Sequence, residues 1–169
     1  MKPKDLRSSE DAVVVVTQIA APIERVFRAL TDPKQLFQWW SAEPSVELTA
    51  FEMDARPGGL WRFTCKPRPG YEQGPVGEQM RATGASQYEA HGEVLEYEPP
   101  RLVAWSWIAN WHDHPEERTV VRWELEPAPT GTRVSVTHSG LTRLPVARKD
   151  YGTGWDGVLR LLREFNERA

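Results

Sequence analysis

Apolar and polar residues along the first forty positions change from a strand pattern to a helix pattern. β-Branched residues dominate 12–20, which predicts a strand. Apolar residues then recur with a helical period through 22–31, which predicts a helix with one buried face. Asp32 and Pro33 provide a cap and a first turn for a second short helix. The apolar face predicted for this second helix comprises Leu36, Phe37 and Trp40, with Trp39 at its edge.

Period-two alternation marks the middle of the chain as a series of half-buried antiparallel strands. The alternation changes phase near Phe51, which predicts a β-bulge. Turn signals such as 56–59 and 129–131 separate the runs, whereas the Gly- and Pro-rich stretch 67–85 predicts a long loop. The apolar positions of the later runs are Trp61, Phe63 and Cys65; Tyr88, Ala90, Gly92 and Val94; Val103, Trp105 and Trp107; Val121, Trp123 and Leu125; and Val134, Val136 and His138.

The last part of the chain has the pattern of a long amphipathic helix. Apolar residues follow helical spacing from Tyr151 to Phe165, although three glycines weaken the first turns and leave the start of the helix open. The order of elements predicts an α+β fold, a curved antiparallel sheet of about six to seven strands around the C-terminal helix, with two short helices after the first strand. Residues 1–11 are expected to form a flexible arm and 12–169 a single domain.

Charge and cysteine content narrow the class of protein. The net charge is −3 and no basic cluster occurs, so nucleic acid and anionic membranes are not expected partners. The apolar run 13–16 is too short for a signal-peptide core or a membrane span, and we therefore expect a soluble, cytoplasmic protein without membrane insertion. The single cysteine, Cys65, is interpreted as a buried strand thiol. Arginines and glutamates alternate with the apolar positions and predict a charged outer face of the sheet.

Eight tryptophans in 169 residues are more than a small core needs. Each indole carries an N–H group that requires a partner when buried, so a dry core crowded with indoles is costly. We therefore predict an aromatic-lined ligand cavity between the sheet and the C-terminal helix, with a filled core as the alternative. The candidate pocket residues are Trp39, Trp40, Trp61, Phe63, Tyr88, Trp105, Trp107, Trp123, His138, Trp155 and Leu159.

Candidate chemistry beyond the aromatic residues is sparse. His138 shares the predicted inner face and is interpreted as a hydrogen-bonded structural histidine, with a polar ligand contact or a general base as the alternatives. Its neighbour Ser139 points to the opposite face, so the two are a poor nucleophile–base pair. The segment 112–117, HDHPEE, resembles a metal site in composition only and predicts a solvated loop. No metal, no cofactor, no catalytic residue and no paired inner carboxylates are predicted.

Five short motifs follow one another along residues 12–168. They are APIERVFRALTDPKQLFQWW, RPGGLWRF, GEVLEYEPPRLVAWSW, THSGL and the pair Gly154-Trp155. In this order they resemble the START-like (SRPBCC) superfamily, and more narrowly its AHSA-type branch, named after the activator of the heat-shock ATPase. The resemblance implies a helix-grip fold with a deep cavity between the long C-terminal helix and the sheet.

The resemblance implies little about activity, because such folds include lipid and hormone binders, aromatase/cyclases, ring-hydroxylase subunits and a co-chaperone domain. Two segments depart from the pattern of this branch. Residues 67–85 are longer than its usual connection by about a dozen residues, which suggests a lid or an interface. HDHPEE is polar in a way that the motifs do not require. The matched motif residues are structural in character, and none is carried over as catalytic. They are Pro22, Trp40, Gly58, Gly59, Gly92, Pro99 and Trp155.

Three functions stay open, and the sequence favours the first. The first is a binding protein for a small hydrophobic or aromatic molecule held in the cavity. The second is a cyclase, dehydratase or hydrolase, which needs an acid and a base inside the cavity, for which His138 and Tyr88 are the available groups. The third is a co-chaperone-like interaction module, which needs an exposed apolar patch. A homodimer is compatible with each.

Overall fold

The computed structural model describes residues 10–71, 78, 81, 82 and 84–168. The elements follow the predicted order of one strand, two short helices, a run of strands and a long helix. Their bounds are β1 (Ala12–Ile19), α1 (Ile23–Thr31), α2 (Pro33–Trp40), β2 (Val46–Met53), β3 (Leu60–Pro67), β4 (Tyr88–Glu98), β5 (Leu102–Ala109), β6 (Thr119–Ala128), β7 (Gly131–Ser139) and α3 (Pro145–Glu167).

The seven strands form one antiparallel sheet in the order β1-β7-β6-β5-β4-β3-β2. The sheet is curled into a half-barrel, and α3 lies in its grip, where it contacts β1, α1 and α2. This arrangement confirms the predicted helix-grip α+β fold. None of the described helices is long and apolar enough to cross a bilayer.

The β-bulge predicted near Phe51 lies two residues earlier in β2. The register between β2 and β3 shifts between Leu48 and Ala50, so Thr49 is the extra residue. A strict period of two would place Leu48 and Phe51 on opposite faces of the sheet. The bulge turns both toward the core, where 6% and 8% of their surfaces are exposed. The predicted phase change is therefore confirmed.

Helix α2 begins as the sequence predicts but buries a different face. The Asp32 side chain accepts a hydrogen bond from the Lys34 backbone N–H at 2.9 Å, which confirms the cap. Trp39, predicted at the edge, is buried because its indole N–H donates to the Ala29 carbonyl of α1 at 2.8 Å. Because α2 turns Trp39 toward α1, Phe37 faces outward. It was predicted to be buried and is 39% exposed.

Helix α3 begins at Pro145 and continues through the three glycines that left its start open. Its first turn is capped from a distant part of the chain. The Asp113 carboxylate accepts hydrogen bonds from the backbone N–H groups of Val146 and Ala147, each at 3.0 Å. A carboxylate at this end also meets the positive end of the helix dipole. The connection between β5 and β6 therefore fixes where α3 starts.

Two segments predicted to be irregular differ in detail. Residues 1–9 lie outside the described residues, but Asp11, assigned to the flexible arm, is held in place: its carboxylate accepts from the Thr142 hydroxyl at 2.8 Å and its carbonyl from the Leu141 N–H at 2.9 Å. Residues 78, 81 and 82 are helical, whereas a loop was predicted throughout 67–85. The expected lid or interface falls largely outside the described residues.

Candidate ligand cavity

A cavity of about 380 Å³ lies between α3 and the inner face of the sheet. One wall is formed by side chains of β3, β4 and β5. Trp111, which lies two residues after the end of β5, belongs to the same wall. A second wall is the connection from α2 to β2, which supplies Glu43 and Ser45. The third wall is the middle of α3, where Gly154 and Gly157 leave open space instead of side chains.

The predicted pocket residues divide between this cavity and the packed core. Five of them line the cavity: Trp40, Phe63, Tyr88, Trp107 and Trp155. The other six do not line it and are at most 2% exposed within the core: Trp39, Trp61, Trp105, Trp123, His138 and Leu159. The sequence missed three aromatic lining residues, Tyr71, Trp111 and Tyr151. Trp111 prolongs the aromatic alternation of β5 and Tyr151 opens the apolar stripe of α3, so the signals for these two were present.

The core indoles show why periodicity alone could not separate the two groups. Trp61 shares a sheet face with the cavity residues, yet its N–H donates to the Ser106 carbonyl at 2.8 Å and its ring lies 4.8 Å from that of Trp107. Trp123 packs edge-on against Trp155 with ring centroids 5.6 Å apart. At β6 the sheet therefore meets α3 in direct contact, whereas open space lies beside Phe63 of β3 and Tyr88 of β4.

His138 is fully buried, and both of its ring nitrogens are hydrogen-bonded. The Trp155 indole N–H donates to Nδ1 at 3.1 Å, so Nδ1 carries no proton. The Nε2–H group then donates to the Thr119 hydroxyl at 2.7 Å, which itself donates to the Trp107 carbonyl at 2.8 Å. Burial lowers the pKa of His138 well below its usual range, and His112 lowers it further. The side chain is thus a neutral structural link with no nitrogen free to act as a base.

A second network surrounds the Tyr151 hydroxyl. Its oxygen accepts from the Trp107 indole N–H at 3.0 Å and lies 2.8 Å from Nε2 of His112. A hydroxyl oxygen has two lone pairs, so the direction of the bond between this hydroxyl and Nε2 follows the tautomer of His112. Burial raises the pKa of Tyr151 well above its usual range and lowers the pKa of His112 to about 4. Both groups are neutral in the folded protein near pH 7.

The prediction that HDHPEE forms a solvated loop is wrong for His112, which is 1% exposed. The segment folds across the start of α3, where Asp113 caps the helix and His112 reaches Tyr151. Its polar composition conceals this role, since His112 and Asp113 make their contacts with α3, more than thirty positions along the chain. Among the described residues, no three His, Cys, Asp or Glu side chains are grouped as metal ligands.

Two carboxylates line the cavity, although the sequence predicted no inner pair. Glu43 lies in the connection from α2 to β2, where its Oε2 accepts from the backbone N–H groups of Ser45 and Val46 at 2.8 and 3.1 Å. Asp150 lies on α3, exposed along its outer edge. Desolvation on the cavity side raises the pKa of Asp150, and the charge of Glu43 raises it further. No local pattern reports this pair, because the two residues meet only through the tertiary fold.

Cys65 also lines the cavity, where it is 4% exposed. Burial raises the pKa of its thiol to about 12, with a further contribution from the charge of Glu43. A thiol with this pKa is protonated near neutral pH and is a weak nucleophile. The interpretation of Cys65 as a buried strand thiol is therefore confirmed.

The curled antiparallel sheet that grips a long C-terminal helix, with an aromatic cavity between them, defines a START-like helix-grip protein. The family model described as activator of Hsp90 ATPase homolog 1-like protein matches residues 20–167. The chain therefore belongs to the activator of Hsp90 ATPase homolog 1-like family. No curated protein matches the chain.

Solved structures support the same fold. A Chromobacterium violaceum protein is 21% identical, with a TM-score of 0.73 over 94% of this chain and 99% of its own. A Mesorhizobium loti protein is 24% identical, with a TM-score of 0.66 over 94% and 98%. An AHSA1-like protein from Aeromonas hydrophila is 20% identical, with a TM-score of 0.66 over 92% of each chain. At these identities the likeness concerns the fold alone.

Proposed function

We propose that the protein binds a small hydrophobic or aromatic molecule in the cavity between the sheet and α3. The observation that carries the proposal is the aromatic wall around about 380 Å³ of open space. Ligand pockets in proteins have volumes of roughly 300–1,000 Å³ and are lined mainly by apolar and aromatic side chains. This cavity has that size and that lining, in a chain of 169 residues whose remaining core is closely filled.

Apolar burial supplies the affinity in this proposal. A ligand that buries about 200 Å² of apolar surface gains about 5 kcal/mol at roughly 25 cal/mol per Å². A gain of this size alone corresponds to a Kd of about 0.2 mM, and the loss of translational and rotational freedom opposes it, so we expect millimolar binding rather than tight sequestration. Preformed walls lower the ordering cost: the indole of Trp107 is fixed by Tyr151 and its backbone carbonyl by Thr119.

The hydrogen bonds of His138 and Tyr151 leave neither side chain free to act as the acid or the base of a catalytic pair. A cyclase or hydrolase needs an acid and a base free to face the ligand. Both nitrogens of His138 are engaged, and it does not line the cavity. Tyr151 does line it, but its hydroxyl is already hydrogen-bonded to His112 and Trp107. These contacts support a wall that is held rigid.

The outer face of the sheet gives less support to a protein-interaction module. Ion pairs cross between neighbouring strands there, with Arg62 and Glu89 at 2.9 Å and Arg133 and Glu126 at 2.8 Å. Leu60, which is 70% exposed, lies on the same strand as Arg62. A charged face with scattered apolar residues is ordinary protein surface, whereas an interaction site for another protein needs a contiguous apolar patch.

The test introduces a leucine side chain at one of two glycines of α3, one that lines the cavity and one that does not. A Cβ added at Gly154 meets no atom within 4 Å, and Gly154 lines the cavity, so Gly154→Leu is expected to occupy ligand space. Gly152 has the same freedom but does not line the cavity, so Gly152→Leu is the matched control. Binding is measured with N-phenyl-1-naphthylamine, a neutral apolar fluorophore, and native mass spectrometry of the freshly purified protein looks for a copurifying small molecule.

We expect the wild type and Gly152→Leu to bind the fluorophore saturably and with equal affinity, and Gly154→Leu to bind it at least tenfold more weakly. A ligand seen by native mass spectrometry should be lost from Gly154→Leu alone. If the fluorophore does not bind the wild type, the space does not function as a ligand cavity. Equal weakening in both variants would place the binding elsewhere.

A further inference from the structure

We infer that the molecule bound in the cavity carries a positive charge, as an amine or quaternary ammonium group on an apolar or aromatic body. The inference rests on the proposed function, because it assigns a charge to the ligand of that same cavity. Two features of the walls lead to it. One is the sign of the charged groups, and the other is the density of aromatic rings.

The charged side chains among the described lining residues are Glu43 and Asp150, and no lysine or arginine lines the cavity with them. In the described part of the chain, neither carboxylate has an ion-pair partner. The nearby cation Arg68 directs its guanidinium to the Ser41 carbonyl at 3.5 Å instead. Asp150 is exposed and Glu43 half-buried, so the cost that a bound cation relieves is the repulsion between their two like charges.

The two carboxylates approach from different walls and are held there. Oε2 of Glu43 accepts from the backbone N–H groups of Ser45 and Val46, which leaves Oε1 without a hydrogen bond from a described residue. Asp150 is fixed by its place on α3. The charge of Glu43 acts on both other walls, since it raises the pKa of Asp150 and of Cys65. The negative potential therefore extends over the cavity.

The aromatic rings of the walls also attract a positively charged ligand. The faces of indole and phenyl rings carry negative charge density, and a cation over such a face is stabilised more strongly when it is desolvated. Eight of the sixteen described lining residues are aromatic, among them Trp40, Trp107 and Trp111. An anionic ligand would be repelled by the carboxylates of Glu43 and Asp150.

The test uses two ligands of equal shape and different charge. Benzyltrimethylammonium has a quaternary nitrogen where neopentylbenzene has a carbon, so a difference in their affinities reports the charge alone. Phenylacetate serves as the anionic comparison. Binding is followed by tryptophan fluorescence in the wild type, in Glu43→Gln and Asp150→Asn, and in the double variant. Glu47→Gln and Asp156→Asn remove the same charges from β2 and α3 at positions that do not line the cavity.

We expect benzyltrimethylammonium to bind about tenfold more tightly than neopentylbenzene, and phenylacetate to bind most weakly. The preference should fall to less than threefold in the double variant and stay intact in Glu47→Gln and Asp156→Asn. Equal affinity of the cation and its neutral isostere would overturn the charge assignment while leaving the cavity intact as an apolar site. A preference that persists in the double variant would overturn the role of the two carboxylates. If N-phenyl-1-naphthylamine also fails to bind, the proposed function itself fails.

Discussion

Lowering the pH from 7.5 to 5 should destabilise this protein through His112. The imidazole is 1% exposed, and burial lowers its pKa from 6.5 to about 4 in the folded state. In the unfolded chain the same group titrates near its ordinary value, so between about pH 6.5 and pH 4 the unfolded state binds more protons than the folded state. The free energy of unfolding therefore increases as the pH rises across this window and decreases as the pH is lowered.

The size of the effect follows from the two pKa values. A difference of about 2.5 units is worth about 3.4 kcal/mol in full, at 1.36 kcal/mol per unit. By pH 5 about 2 kcal/mol of this has been lost, because His112 is protonated in the unfolded chain and largely neutral in the folded one. His138 acts in the same direction, since its pKa is also lowered. Asp150 acts in the opposite direction at lower pH, since its pKa is raised.

The assay is urea unfolding at several pH values between 7.5 and 5, with the wild type compared to two variants. His112→Gln should remove about 2 kcal/mol of the pH dependence, whatever its effect on stability at pH 7.5. His114→Gln, a change two residues further along the same segment, is the control and should keep the wild-type slope. An unchanged slope in His112→Gln would show that burial does not hold His112 neutral.

Three further predictions address other parts of the fold. Gly152→Ala should raise the free energy of unfolding by about 1 kcal/mol, because Gly152 lies within α3 with open space around its Cβ position; a melting temperature that does not rise by about 2–4 °C would contradict this. Gly92→Ala should destabilise by roughly 3 kcal/mol or more in the same measurement, because a Cβ there would lie 2.0 Å from the Ser106 carbonyl oxygen; wild-type stability would show that the strands can separate freely. Cys65 should resist iodoacetamide at pH 8 in the folded protein and react after unfolding, as followed by mass spectrometry; rapid labelling of the folded protein would mean that the thiol is not buried.

Local signals in the sequence were sufficient for the elements and their order. The cap at Asp32 depends on residues adjacent in the chain, and the bulge in β2 is visible as a change in alternation. Such features are decided by the backbone within a few residues, so a sequence pattern reports them directly.

The composition of the cavity required tertiary information. Periodicity placed Trp61 and Trp107 on one face of the sheet, but whether each meets α3 or open space depends on where the helix crosses the sheet. That crossing is set in part by the Asp113 cap, a contact between residues more than thirty positions apart. The meeting of Glu43 and Asp150 depends on the same crossing. The alternation of apolar and polar residues within a strand reports neither where α3 crosses the sheet nor that Glu43 and Asp150 meet.

The Asp113 cap also restricts how α3 can open. The carboxylate binds the first two free N–H groups of the helix, while His112, the preceding residue, is bonded to Tyr151 one to two turns further along. Movement of this end of α3 away from the sheet must break these contacts together. Amide hydrogen exchange at Val146 and Ala147 should therefore be as slow as in the centre of the sheet, and it should rise to the rate of a frayed helix end in Asp113→Ala. Ligand exchange that leaves both amides protected would show that this end of α3 does not move when the ligand enters or leaves.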